Sequence, residues 1–320
     1  MRPESTSVTY RPDLSVLSKE FEDQKAAGRF IANRAAPIIE VAEASGGYPI
    51  FNRESFKKPV SSGARASGGA YPRIIGDFGK GTYDCEDYGI EYPLDDRMKN
   101  KYKTLFDAER AAARIVTYQT LLAREIRVSA LFSGGGFTAN AATTVWSTSA
   151  SAVPFSDIET GINTLSDNCG VGKGGVSLII PRADLREMLS TTQVGDKSKY
   201  TMPGVQPAML EAAQVAAMLG IKEVLVAGSS YDSTEEGYAE SMSQIWATGT
   251  IYLCVLADEG DTIEEPSAAR TALWTGDSPT LPVFESYREE HTRTDVIRER
   301  MDVDEFLQGA TDLFVYAMTT

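Results

Sequence analysis

Residues Thr104 to Phe132, TLFDAERAAARIVTYQTLLAREIRVSALF, form the longest stretch of unbroken helical periodicity in the chain. Leu105, Ala108, Ala112, Ile115, Leu122 and Ile126 recur at helical spacing, and Asp107, Glu109, Arg110, Arg114, Arg124 and Arg127 fill most of the remaining surface. The spacing predicts one long helix whose apolar set turns inward. Thr104 with Asp107 three residues later predicts a capping box, and Ser133-Gly134-Gly135-Gly136 predicts the stop. With no Gly or Pro inside, the segment would run roughly 40 Å, the width of an ordinary domain. The Ala-rich repeat lapses within a few heptads and no second helix of similar length is readable nearby. The expected partner is therefore a sheet, not a coiled-coil mate.

At 320 residues the chain has room for two domains or one elaborated domain. Its formal charge of -14 disfavours binding to nucleic acid and to acidic membrane surfaces unless a local basic patch overrides the net field. Cys85, Cys169 and Cys254 are odd in number and widely spaced, which suits a reducing compartment and makes neither a disulfide framework nor a zinc pattern. Met1 leads into no apolar h-region, and no apolar run reaches the roughly 18 residues of a membrane span. Neither a signal peptide nor a membrane span is expected.

Residues 1–44 carry scattered apolar positions among Pro, Ser and charges, with a short helical suggestion around Ser18 to Ala36. Such an arm gains order only by lying across another surface. Residues 45–96 alternate Gly, Ser, Pro and aromatics with short β-prone pieces, which predicts a long hairpin projecting outward. Its charges are segregated: Arg53, Lys57, Lys58, Arg65, Arg73 and Lys80 lie in the outgoing half, and Asp84, Glu86, Asp87, Glu91, Asp95 and Asp96 in the return. That polarity suits docking between identical copies. Thr138 to Ser156 reads as a connector after the long helix. An α/β stretch follows, with a short helix from Ser156-Asp157 to about Ser166, a strand at Gly175–Ile180, a short helix at Asp184–Ser190, a helix from Gln206 to Leu219, and strands at Glu223–Ala227 and Thr250–Leu256. Val283 to Thr320 supplies further strands, notably Asp312–Met318, expected in the sheet beneath the long helix.

Chemical motifs carry little. Gly170-Val171-Gly172-Lys173-Gly174-Gly175 matches G-x-G-x-x-G, but a strand follows it where the dinucleotide fingerprint needs a helix, and Lys173-Gly174 lacks the hydroxyl of a P-loop. His291, the only histidine, sits in a charged segment without an elbow or catalytic-cysteine signature. Asp258, Glu259, Asp261, Glu264 and Glu265 offer oxygen ligands at a spacing that matches no defined cation loop. No catalytic, cofactor or metal residue is assigned, and no enzyme activity is expected.

The order of segments resembles the Hong Kong 97-type major capsid proteins of tailed bacteriophages. The arm, the loop ahead of Tyr88-Gly89-Ile90-Glu91-Tyr92, and the helix through Leu121-Leu122-Ala123-Arg124-Glu125 resemble that family's N-arm, E-loop and P-domain spine. Ser156-Asp157-Ile158, Leu178-Ile179-Ile180-Pro181, the 206–219 helix, and Pro266-Ser267-Ala268-Ala269 leading to Trp274 resemble its A-domain and the return to the P-domain. The resemblance implies an α+β fold divided into N-arm 1–44, E-loop 45–96, first P-domain part 97–156, A-domain 157–265 and P-domain return strands 266–320. It implies a structural shell protein forming hexamers and pentamers around double-stranded DNA, without sequence-specific contact, in a virion assembled in the host cytoplasm. Its implied partners are further copies of itself, a separate scaffold protein, a portal protein and, optionally, a decoration protein. Arg53, Lys57, Lys58, Arg65, Arg73 and Lys80 are the expected intersubunit contacts. No motif picks out an isopeptide cross-link. An encapsulin-like compartment shell and, from another class, a nucleotide-binding α/β enzyme are the alternatives.

Overall fold

The computed structural model describes residues 9–21, 30–52, 64–65, 67–71, 79–102, 107–201, 206–234, 237–279, 282–309 and 312–320. The chain enters through β1 (Thr9–Tyr10) and α1 (Pro12–Phe21), then α2 (Ala32–Ala35) and β2 (Ile38–Val41). It leaves the body as a hairpin of β3 (Ser45–Ile50) and β4 (Gly79–Asp84), and returns as β5 (Glu86–Asp95), α3 (Asp96–Tyr102) and the spine, α4 (Ala108–Ser133). Next come β6 (Ala139–Ala141), α5 (Pro154–Cys169), β7 (Val176–Pro181), α6 (Arg182–Ser190), α7 (Thr192–Thr201), α8 (Ala212–Leu219) and β8 (Glu223–Ala227). The pair β9 (Ser230–Asp232) and β10 (Met242–Gln244) leads to β11 (Thr250–Val255), and β12 (Ala269–Trp274), β13 (Val283–Glu289), β14 (Thr294–Leu307) and β15 (Val315–Thr319) complete the described chain.

Two sheets organise these elements into an α+β fold. In the first, β14 pairs antiparallel with β5 along one side, and with β13 and then β12 along the other. Short β1 borders β13, and β2 runs parallel to β12 at the opposite end. The spine lies on β14 and β5, where Ala112 and Ala113 meet Phe284, Ile297 and Leu14 of α1. The second sheet has the order β6-β15-β11-β7-β8. Its strand β7, VSLIIP, is buried at all six positions, as expected of a strand covered on both faces. Trp146, Ile158, Leu165, Leu178, Ile180, Val215, Leu253 and Phe314 share the larger core.

Several expectations need correcting. The spine buries only part of its regular apolar set: Ala112 is inside, but Ile115 is 48% and Ile126 39% exposed, while Val116, Leu121, Val128 and Phe132 face inward together with Thr117, Thr120, Arg124 and Glu125. The threonine hydroxyls donate to Ala113 O at 3.0 Å and Val116 O at 3.1 Å, so their burial needs no outside partner. Asp107 is itself the N-cap, accepting from the Glu109 and Arg110 amides, and the expected cap Thr104 lies outside the described residues. The strand read at 312–318 forms only from Val315 on, and β15 joins β11 and β6 in the second sheet rather than lying beneath the spine. The return half of the projected hairpin ends at Asp84; β5 is instead spent along β14 over Glu86–Asp95. The connector at 138–156 includes strand β6. The 206–219 helix is broken, because Glu211 and Gln214 form a capping box that starts α8 afresh after a turn of 3-10 helix at Pro207–Met209. Helix α5 begins earlier, at Pro154, where proline's missing amide costs nothing. Asp157, inside that helix, is buried, accepting from Thr143 N at 3.2 Å, Thr143 Oγ1 at 2.6 Å and Trp146 Nε1 at 3.3 Å.

Candidate functional site

Midway along the spine, two adjacent charged residues join separate parts of the chain. Fully buried Glu125 accepts on Oε2 from the amides of Ile31 (3.0 Å) and Ala32 (2.8 Å), at the start of α2. Its Oε1 accepts from Trp246 Nε1 at 2.6 Å and Ser229 Oγ at 3.5 Å, both from the stretch between β8 and β11. Burial raises the Glu125 pKa, and the indole and amide donors act against that rise. Arg124 turns to the first sheet, donating to Asn33 Oδ1, to Ala36 O at 3.4 Å and to Thr271 Oγ1 at 3.2 Å. The N-terminal segment, the spine, the first sheet and the stretch between β8 and β11 therefore meet at one polar cluster.

The projecting hairpin is rooted by aromatics. Tyr48 stacks on Phe306 with centroids 4.0 Å apart and donates to Leu307 O at 3.2 Å. The register sets Tyr48 opposite Gly81 and Tyr83 opposite Gly46, so each ring lies over a glycine. A Cβ on Gly81 would come within 2.3 Å of the Tyr48 ring. Of the six expected contact residues, Arg53, Lys57, Lys58 and Arg73 lie outside the described residues. Arg65 is exposed with its guanidinium 4.7 Å from the Tyr71 ring centroid. Lys80 is exposed on β4, opposite Pro49.

Two acidic residues of the return half, Asp96 and Glu91, are occupied within the chain. Asp96 accepts from Arg288 at 2.8 and 2.7 Å, and that guanidinium holds its carboxyl below the usual carboxylate range. Arg288 also donates to Asp295 at 2.9 Å, and Lys99 bridges Asp295 at 2.5 Å and Glu109 at 2.7 Å. Glu91 accepts from Tyr287 OH at 3.1 Å. These ties bind α3, the spine start and β5 to β13 and β14.

The acidic turn after β11 is built around a cation rather than for one. Arg270, fully buried on β12, donates to the carbonyls of Thr262 (2.9 Å), Glu265 (3.1 Å) and Asp261 (3.4 Å), and burial lowers its pKa. Among the described residues no cluster of three or more histidine, cysteine or carboxylate groups is placed to hold a metal. Gly170, at φ +79°, caps the C-terminus of α5 and β7 follows, so the glycine-rich stretch is a helix-to-strand turn. His291 is exposed in the turn between β13 and β14. Arg124, Glu125 and Arg270 escape sequence reading; their one signal is charge interrupting an otherwise inward-facing row.

No family model matches the chain. The major capsid protein of Burkholderia phage BcepMu is 24% identical over 292 residues, covering 88% of this chain and 88% of that protein. A phage-related protein from Bordetella bronchiseptica superposes with a TM-score of 0.70 at 18% identity, over 98% of each chain. The capsid of cyanophage P-SCSP1u gives 0.56 at 10% identity, covering 100% of this chain and 91% of that one. The virus-like particle from Pyrococcus furiosus gives 0.54 at 9% identity, over 96% of each.

Proposed function

We propose that this chain, which has the fold of the phage capsid proteins, is a major capsid protein whose copies close into an icosahedral shell around double-stranded DNA. The observation that carries this reading is the end-to-end likeness to a protein named for that role, with 88% of each sequence covered. The Pyrococcus particle shares the fold, so the choice of DNA as contents, over an enzyme cargo, rests on the phage relative.

Each part of the mechanism is assigned, on this reading, to a segment of the fold. The hairpin, rooted by Tyr48 on Phe306, would overlap a neighbour as the E-loop. The segment through α1 and α2 forms the N-arm, tied down at Glu125. The first sheet and the spine act as the P-domain, which takes in β5 as well as β12 to β14; the second sheet acts as the A-domain, joined by β15. In a closed shell many weak contacts form at once, so modest pairwise energies hold the particle while single errors dissociate. A net charge of -14 limits adhesion to the packaged duplex. A scaffold protein and a portal are the partners this reading requires, with assembly in the host cytoplasm.

Negative-stain microscopy of the chain expressed with and without a scaffold is the test. Closed shells of uniform size are expected, and nuclease-protected duplex in particles from infected cells. Compact single molecules under every condition would overturn the reading.

A further inference from the structure

The hairpin joins the body at Cys85, where the pairing of β5 with β14 ends and Cys85 N donates to Ala44 O at 2.8 Å. Carboxylates crowd that point. In the register of β5 on β14, Asp87 stands directly opposite Asp302. Residues so opposed share one face of the sheet, and like charges there repel. By strand alternation Asp304 continues the same face. It ties the hairpin to the body by accepting from Asp84 N at 3.0 Å.

The cation beside this column is shared. Arg300 donates to Glu285 at 3.2 Å, to Asp277 in the turn after β12 at 2.8 Å and to Asp302 at 3.3 Å, and Ser278 Oγ also donates to Asp302, at 2.5 Å. The opposite face of the same strands is better matched. There Arg127 of the spine pairs with Glu305 at 2.8 Å and lies 3.9 Å from the Tyr88 ring centroid, and the Tyr88 hydroxyl donates to Glu86 at 2.9 Å.

The field of the column is felt by its own groups. Desolvation and then Asp302 raise the Asp87 carboxyl, against the pull of Arg300 and Arg298. Burial raises Asp304, with Glu305, Asp84 and Glu86 adding to it and the Asp84 amide opposing. Burial first, and then Asp304, Asp302 and Asp84, push the Cys85 thiol up to about 11. Burial and then Asp304 also raise Tyr48 at the hairpin root.

We propose that Asp87, Asp302 and Asp304 form a proton-operated hinge, which clamps the hairpin root against β14 when they take up protons and loosens it when they ionise. The hinge works within one chain, so it stands whether or not copies assemble. Its sign follows from linkage: groups that hold protons more tightly in the closed root than in the opened one stabilise closure fully below the ordinary carboxylate value. That contribution is lost as pH rises through the raised values.

Hydrogen exchange of the purified single chain, expressed as protection factors so that intrinsic rates cancel, tests it at about pH 4 and about pH 7. Amides of Ser45–Ile50 and Gly79–Asp84, read against those of β13, are expected to lose protection at least about threefold over that interval in wild type. The double variant Asp87→Asn, Asp304→Asn keeps the shapes and removes two charges. Its hairpin is expected to show a flat profile and to be better protected than wild type at the higher pH. Asp87→Asn alone, at an exposed position, is expected to lie between the two, and it carries the test if the double variant fails to fold. Equal pH dependence in wild type and variants, or a less protected hairpin in the variants at the higher pH, would overturn the inference.

Discussion

Glu125 gathers donors from two distant stretches of chain onto one buried carboxylate. Glu125→Ala would leave two amides and an indole buried without an acceptor, an expected cost of about 3 to 5 kcal/mol in urea unfolding; a loss below the ordinary spread of surface substitutions would contradict its role as a junction. Glu125→Gln keeps the shape and removes the titration. Burial raises the folded pKa above the ordinary value, so the carboxyl's stabilising contribution is complete below that value and is lost as pH climbs through the raised one. Wild type is therefore expected to lose stability relative to Glu125→Gln as pH rises from the carboxylate range toward neutrality. Thermal midpoints of the two proteins that keep a constant difference across that range would refute this. Periodicity placed Arg124 among the surface charges because a one-dimensional pattern holds no record of Asn33, Ala36 and Thr271 waiting across the fold.

At the level of elements, the spine's existence and length were readable, since a run free of Gly and Pro with recurrent apolar positions has few other uses. Which face it buries was not, because polar groups matched by distant partners can lie inside and Ile115 and Ile126 can lie outside. Similarly, β15 was legible as a buried strand, while its neighbours depend on β11 and β6 finding it. Asp107→Ala, which removes the spine's N-cap, is expected to cost about 1 kcal/mol, measured as a shift of the denaturation midpoint at constant slope. The hairpin root allows a more local test. Phe306→Ala removes the ring that Tyr48 and Tyr83 stack upon. Amides of Ser45–Ile50 and Gly79–Asp84 are expected to lose hydrogen-exchange protection while those of β13 keep theirs; uniform loss in both would show that the hairpin is not separately anchored.

Across the whole molecule, the described chain spends its chemistry on ties between segments, among them Glu125 on the spine and Arg288 on β13. That a hairpin precedes the long helix and an α/β stretch follows it was legible in the sequence; that the hairpin's return runs on into a long strand of the body was not, because β5 pairs with β14, far away in the chain. Converting Lys57, Lys58 and Arg65 together to alanine is expected to weaken assembly far more than folding, and to blunt its salt dependence, because exposed charge pairs are screened by added salt. Unchanged assembly of that variant at raised salt, followed by light scattering, would remove the charge role. The most direct measurement is sedimentation velocity of the purified chain over rising concentration, with and without scaffold protein. The expected result is a cooperative passage from the 34.7 kDa single molecule to a closed many-copy particle with few intermediates; a single 34.7 kDa species at every concentration, scaffold present or not, would contradict the account.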